Sequence, residues 1–79
     1  MNNRSIAEEM TRKESIVRKS IEEWMEEKHI SNERLAADTD VSVPTVYRWK
    51  KNPERITFAK GSLIAKSLGV DLSEIVFLP

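Results

Sequence analysis

The side chains with the greatest capacity for chemistry lie in residues 42–60, and they are suited to hydrogen bonding and charge pairing. Three hydroxyl groups, those of Ser42, Thr45 and Tyr47, precede or adjoin the guanidinium of Arg48. The basic and amide side chains that follow are Lys50, Lys51, Asn52, Arg55 and Lys60. A guanidinium is a planar fork of donors and an ammonium is a compact point charge, so both groups favour anionic or acceptor-rich partners.

The distribution of charge supports this interpretation, although the net charge of the 79 residues is zero. Residues 1–41 hold seven basic and ten acidic side chains, a net charge of −3. Residues 42–66 hold six basic side chains against Glu54 alone, a net charge of +5, and residues 67–79 carry −2. Because the local field governs contact with phosphate groups, residues 42–66 are the segment predicted to meet a polyanion.

Other kinds of chemistry have little support. His29 is the single histidine, and no partner acid or nucleophile accompanies it, so it is interpreted as a helix-end residue. The absence of cysteine excludes disulfides and thiolate metal sites, and no glycine-rich phosphate loop is present. No apolar run approaches the roughly 20 residues that span a membrane. We therefore expect a cytoplasmic, non-enzymatic protein without a metal or a cofactor.

Two short helices are predicted to position the candidate side chains. Ser31 is a candidate N-cap for the first helix, over residues 32–38, and residues 39–41 form a break. Ser42 is predicted to cap the second helix, over residues 43–51, by accepting a hydrogen bond from the Thr45 amide. Pro44 fits the first turn of that helix, where amides lack intrahelical partners.

The apolar residues of this pair have a spacing that predicts two helices crossing steeply. Leu35, Val41, Val46 and Trp49 are expected on the inner faces, and Ala36 where the helices approach most closely.

This pattern resembles the helix-turn-helix of the Cro/lambda-repressor-like (Xre) family. The family has a Leu-Ser-Gln-Glu-Glu-Leu-Ala type helix, a Gly-Val-Ser turn and a Thr-Ile-x-Arg-Trp/Ile recognition helix. The matching residues are Ser31, Asn32, Glu33, Leu35, Ala36, Val41, Ser42, Thr45, Val46, Arg48 and Trp49. Thr39 and Asp40 depart from the pattern, since an aliphatic residue and a glycine are usual there. Asp40 is predicted to adopt a positive φ, which Asp tolerates better than most residues.

The resemblance implies double-stranded DNA as the partner, with the second helix in the major groove. The residues implied to face the base edges are Val43, Pro44, Thr45, Tyr47 and Arg48. The residues implied to contact phosphates are Asn32, Ser42, Lys50, Lys51, Asn52, Arg55 and Lys60. Val43 and Pro44 have no side-chain donors, so they are expected to pack against thymine methyl groups.

The resemblance also implies a compact, all-α, lambda-repressor-like domain of five helices, here over residues 11–79, after an N-terminal arm of residues 1–10. One helix is predicted over residues 11–28, with a capping box from Thr11 to Glu14 and an inner face that starts at Ile16 or Val17. The inner-face residues that follow are Ile21, Trp24 and Met25.

Two further helices are predicted after the recognition helix. Asn52 and Pro53 end that helix, Thr57 caps a helix over residues 58–68, and Gly69 ends it. The predicted inner face of this helix consists of Phe58, Leu63 or Ser62, Ala65 and Leu68. A short fifth helix is predicted over residues 70–77.

The function predicted from these features is a small, phage-like, Cro-type repressor that binds a DNA operator, with dimerisation through the apolar C-terminal region. The alternative is a protein-interaction module on the same fold, an antitoxin, antirepressor or adaptor, which would use the acidic first helix. A regulatory protein partner is compatible with both alternatives.

Overall fold

Four α-helices and two 3-10 turns are present in residues 17–78, the part of the chain that the computed structural model describes. The helices are α1 (Ile21–Lys28), α2 (Asn32–Thr39), α3 (Val43–Lys51) and α4 (Phe58–Leu68), and the 3-10 turns are Pro53–Arg55 and Leu72–Glu74. No β-strand occurs among these residues, which confirms the all-α prediction. The predicted arm of residues 1–10, the Thr11–Glu14 capping box and the predicted inner-face residue Ile16 lie outside the described residues.

Helix α1 begins later than predicted, because Ser20 is its N-cap and residues 17–20 are not helical. The Glu23 amide donates to Ser20 Oγ (3.1 Å), and the Ser20 amide donates to a Glu23 carboxylate oxygen (2.9 Å). These bonds from Ser20, with a smaller contribution from the charge of Lys19, lower the pKa of Glu23 below its ordinary value. Val17 is 54% exposed rather than on an inner face, whereas Ile21, Trp24 and Met25 are buried as predicted.

Left-handed residues end three of the helices. His29 (φ 57°) follows α1, Asp40 (φ 58°) follows α2 and Gly69 (φ 72°) follows α4. The positive φ of Asp40 confirms the prediction made for the turn. Ser31 caps α2 by accepting from the Arg34 amide at 3.1 Å, and Thr57 caps α4 by accepting from the Lys60 amide at 3.2 Å.

The inner face of α4 differs from the prediction by a rotation about the helix axis. Ala65 and Leu68 are buried as expected, but Phe58 is 78% exposed and Leu63 is 40% exposed. Ile64, which was not predicted, is fully buried. The segment from Gly61 to Ala65 contains apolar side chains on adjacent positions, so its periodicity fits two faces that differ by one residue.

The predicted fifth helix is wrong. One 3-10 turn, Leu72–Glu74, is followed by extended backbone at Ile75, which forms an isolated parallel bridge with Lys19. The Lys19 amide donates to the Glu74 carbonyl (3.1 Å) and the Val76 amide donates to the Lys19 carbonyl (2.9 Å). Because β-branched residues favour extended backbone, Ile75 and Val76 are suited to this pairing.

The core lies between α1, α2, α3, α4 and the C-terminal segment. Its buried apolar residues are Ile21, Trp24, Met25, Leu35, Ala36, Val46, Trp49, Ile64, Ala65, Leu68 and Ile75. The predicted inward residues Leu35, Val46 and Trp49 are among them, and Val41 is partly buried against them. The indole of Trp24 donates to the Glu74 carbonyl at 2.7 Å, so the core also fixes the C-terminal segment.

Candidate nucleic-acid interface

The turn between α2 and α3 determines how α3 is presented. The Val41 amide donates to the Ala36 carbonyl at 2.9 Å, which closes the end of α2 around Asp40. Thr39 is fully buried there, and its hydroxyl donates to the Leu35 carbonyl at 2.6 Å. The unusual threonine is therefore accommodated without an unpaired buried hydroxyl. With Val46 and Trp49 anchored in the core, the opposite side of α3 faces outward.

The outward side of α3 contains most of the predicted base-reading residues. Pro44, Tyr47 and Arg48 are exposed, and Thr45 is half-buried. Val43 is also half-buried, but it packs against the core cluster, so less of its side chain is available to a partner.

A row of hydrogen bonds connects three side chains along α3. Arg48 Nη2 donates to Thr45 Oγ1 at 3.1 Å, and Thr45 Oγ1 lies 3.0 Å from Ser42 Oγ. Ser42 occupies the N-cap position as predicted, but its side chain makes no capping bond. The expected bond from the Thr45 amide to the Ser42 side chain is wrong, because that amide donates to the Ser42 carbonyl instead (3.0 Å).

A second contact joins the first residue of α2 to α3. Asn32 Nδ2 donates to the Tyr47 hydroxyl at 3.3 Å, and Lys50 Nζ lies 5.8 Å from the centroid of the Tyr47 ring. The half-buried Asn32 and Lys50 are thus next to the exposed phenol. The N-terminus of α2 and the middle of α3 present their polar groups on one surface.

The predicted phosphate-binding residues at the end of α3 and after it fall into two groups. Asn52 and Arg55 line a small concavity together with Thr45, Arg48 and Trp49, and Lys51 is exposed at the end of α3. Lys60 has a different environment, because its ammonium donates to the Thr39 carbonyl at 2.9 Å in a partly buried position. The residue therefore binds the C-terminus of α2, where a cation is favoured by the helix dipole.

The hydrogen-bond partners of the interface were not predicted from the sequence. A spacing of three residues places side chains next to each other along one face of a helix. The spacing of Ser42, Thr45 and Arg48 could therefore have predicted their row of hydrogen bonds. The contact of Asn32 with Tyr47 and that of Lys60 with Thr39 depend on how separate helices pack.

Metal sites and membrane-spanning helices were also sought among the described residues. No group of three His, Cys, Asp or Glu side chains within residues 17–78 is arranged to hold a metal ion. None of the described helices has the length and apolar character needed to cross a membrane.

A family model described as a Cro/C1-type HTH DNA-binding domain matches residues 20–78. No curated protein and no solved structure matches the chain.

Proposed function

Since the chain belongs to the Cro/C1-type helix-turn-helix DNA-binding domain family, we propose that it is a sequence-specific transcriptional regulator of the small repressor type. A family of this kind is typically non-enzymatic. The observation that carries the proposal is the outward face of α3, where exposed Tyr47 and Arg48 adjoin a segment of concentrated positive charge.

In this proposal α3 enters the major groove of an operator, where each base pair presents a distinct set of donors and acceptors. The guanidinium of Arg48 forms two hydrogen bonds with O6 and N7 of a guanine. Tyr47, Thr45 and Pro44 complete the base-reading face, and Val43 contributes at its edge. The half-buried position of Val43 gives it the smallest part.

Phosphate contacts fix the register of the domain on DNA. Asn52 and Arg55 lie beside Thr45 and Arg48, and Ser42 adjoins Thr45. Asn32 and Lys50 lie beside Tyr47, and Lys51 is exposed at the end of α3. Such contacts strengthen binding without distinguishing sequences. We assign Lys60 an indirect part, because its bond to the Thr39 carbonyl supports the end of α2.

The direct test is selection of bound sequences from a random pool of DNA duplexes at moderate salt. The proposal predicts enrichment of a defined motif, and a palindromic arrangement if two copies bind. Recovery of sequences no different from the starting pool would contradict it, and would leave a protein-binding role as the better account of the fold.

Replacing Lys51 with alanine is expected to weaken binding to all duplexes by the same factor. Because each phosphate contact releases counterions, the slope of log affinity against log salt should become less steep by about one unit. The slope is measured by titrating a labelled duplex at several salt concentrations.

The matched control is Lys66→Ala, which removes the same charge from the exposed C-terminal part of α4. Lys66 lies near Arg34 and Asp38, away from the reading face, so its loss should leave the slope unchanged. An equal change in both variants would exclude a specific contact by Lys51.

We also propose that two copies associate through the C-terminal region. An apolar groove between α4 and the C-terminal segment is lined by Ile56, Gly61, Leu72 and Phe77, and by Phe58, which is 78% exposed. An exposed aromatic side chain at an apolar groove suits a twofold interface, in which each copy supplies both parts. A second copy also matches the paired half-sites, about one helical turn apart, that such domains bind.

Phe58→Glu is expected to abolish this association, since a charged group would have to be buried in an apolar interface. Sedimentation at high micromolar concentration without DNA should show self-association for the unmodified chain and a monomer for the variant. Leu63→Glu makes the same type of change on another face of α4 and should retain the association. A monomeric unmodified chain would contradict this interface.

A further inference from the structure

The row formed by Ser42, Thr45 and Arg48 raises the question of what the Thr45 hydroxyl contributes to DNA reading. Thr45 Oγ1 receives a hydrogen bond from Arg48 Nη2 at 3.1 Å and lies 3.0 Å from Ser42 Oγ. An uncharged hydroxyl has one donor hydrogen and two acceptor lone pairs. With Arg48 as a donor to one lone pair, the Thr45 hydrogen can be directed to Ser42 Oγ, and the Ser42 hydrogen is then left for an external acceptor.

The contact restricts Arg48 while leaving it enough donors to read a base. A guanidinium carries five N–H donors in a fixed planar fork, and the bond to Thr45 uses one of them. Two parallel donors remain for a guanine, which is the arrangement that gives arginine its specificity. Since the arginine side chain has many rotamers, a bond to a backbone-anchored hydroxyl lowers the entropy lost when the base is bound.

The Thr45 side chain has fewer accessible conformations than the Arg48 side chain to which it is hydrogen-bonded. Thr45 is half-buried, lies in the first turn of α3 and is β-branched, which leaves few rotamers for its hydroxyl. Arg48 is exposed, and within residues 17–78 the structure gives it no carboxylate partner. The hydroxyl of Thr45 is therefore the group that fixes the guanidinium in the described part of the chain.

We propose that Thr45 is a positioning residue: it sets the direction of the Arg48 guanidinium and so determines how strictly one base pair of the operator is read. This inference rests on the proposed function, because it concerns the same reading face. It assigns Thr45 an effect on the base pair that contacts Arg48, in addition to the place already proposed for Thr45 on the base-reading face.

Thr45→Val tests the proposal because it keeps the branched shape and removes the hydroxyl, whereas Thr45→Ser keeps the hydroxyl. The readout is a discrimination ratio, the affinity for the selected operator divided by that for a duplex with one altered base pair. Any general weakening cancels in this ratio. We expect Thr45→Val to lower the ratio about three- to tenfold at the Arg48 base pair, which is within the range of the net contribution of one typical hydrogen bond. Thr45→Ser should keep it within about twofold of the unmodified chain.

A double variant separates positioning from direct reading. If Thr45 acts through Arg48, Thr45→Val should cause no further loss of discrimination at that base pair in an Arg48→Ala background. A loss confined to a different base pair, or an equal loss in both backgrounds, would overturn the proposal.

A measurement without DNA makes failure of this inference distinguishable from failure of the proposed function. Rotation of the Arg48 guanidinium, followed by nitrogen NMR of the free 79-residue chain, should be slower in the unmodified protein and in Thr45→Ser than in Thr45→Val. Equal rates in all three chains would overturn the contact even if an operator is bound. Slow rotation without any duplex preference would instead contradict the proposed function, and with it the role in reading, while the contact stood.

Discussion

Replacing Ile64 with alanine is expected to destabilise the domain by about 2–5 kcal/mol, which is the range for truncating a buried isoleucine. Ile64 is fully buried in the centre of α4, and α4 packs on both α1 and α2. A domain of this size has a total free energy of unfolding of about 4–12 kcal/mol, so the variant should be close to unfolding at ambient temperature. Denaturant titration followed by tryptophan fluorescence, with Trp24 and Trp49 in the same core, measures the change.

Phe58→Ala is the matched control for this prediction. It removes a larger side chain from the same helix, but Phe58 is 78% exposed, so the cost should be below about 1 kcal/mol. The protein is kept dilute to prevent self-association from contributing. A larger cost at Phe58 than at Ile64 would mean that α4 is rotated from the orientation described, with its inner face as the sequence alone predicted.

Replacing Arg48 with alanine is expected to remove discrimination at one base pair of the operator, by about 1–3 kcal/mol or roughly 5- to 150-fold. The reason is that neither of the exposed neighbours Pro44 and Tyr47 carries two donors that could replace the paired hydrogen bond to guanine. Affinities are measured at one fixed salt concentration against duplexes that each differ from the selected operator at a single base pair.

Arg34→Ala provides the control, because Arg34 is an exposed arginine of α2 that pairs with Asp38 at 3.6 Å. Its loss should leave the pattern of discrimination intact. If Arg48→Ala instead weakened binding to every duplex by one common factor, Arg48 would be a phosphate contact and the base-reading assignment would fail.

The sequence predicted the helix pair because local rules determine it. Leu35, Val46 and Trp49 have the spacing of two crossing helices, and Asp40 occupies a position where only a tolerant residue can adopt a positive φ. Caps at Ser31 and Thr57 are likewise set by residues within one turn. These features need no knowledge of the remaining chain.

One missed feature is local, and the others depend on distant contacts. The start of α1 is marked by a second capping box, formed by Ser20 and Glu23, which lies later in the sequence than the one predicted at Thr11. The pairing of Lys19 with the segment at Ile75, in contrast, joins residues that are far apart in the sequence. The extended path after the Leu72–Glu74 turn has the same origin. The bond from Lys60 to the Thr39 carbonyl exists only after α2 and α4 pack, so the charge of Lys60 alone could not predict it.

The same distinction between local and distant causes applies to the predicted base-reading residues. Arg48 and Tyr47 could be assigned outward positions from helical geometry alone, and both are exposed. The polar groups that they contact could not be assigned. Asn32, which contacts Tyr47, belongs to another helix, and the Ser42 side chain could bond either to a backbone amide or to the Thr45 hydroxyl. The sites themselves stay predictions until DNA binding is measured.

The parallel bridge between Lys19 and Ile75 has a mechanical consequence. Tension could be applied to the segment before Lys19 and to the segment after Ile75. Because the backbones at these two residues run parallel, the tension would pull them in opposite directions along their length. The bonds from Lys19 to Glu74 and from Val76 to Lys19 would be loaded together in shear, rather than opened one after the other. The four helices lie between Lys19 and Ile75 in the chain, so the force would reach them only after these two hydrogen bonds had broken.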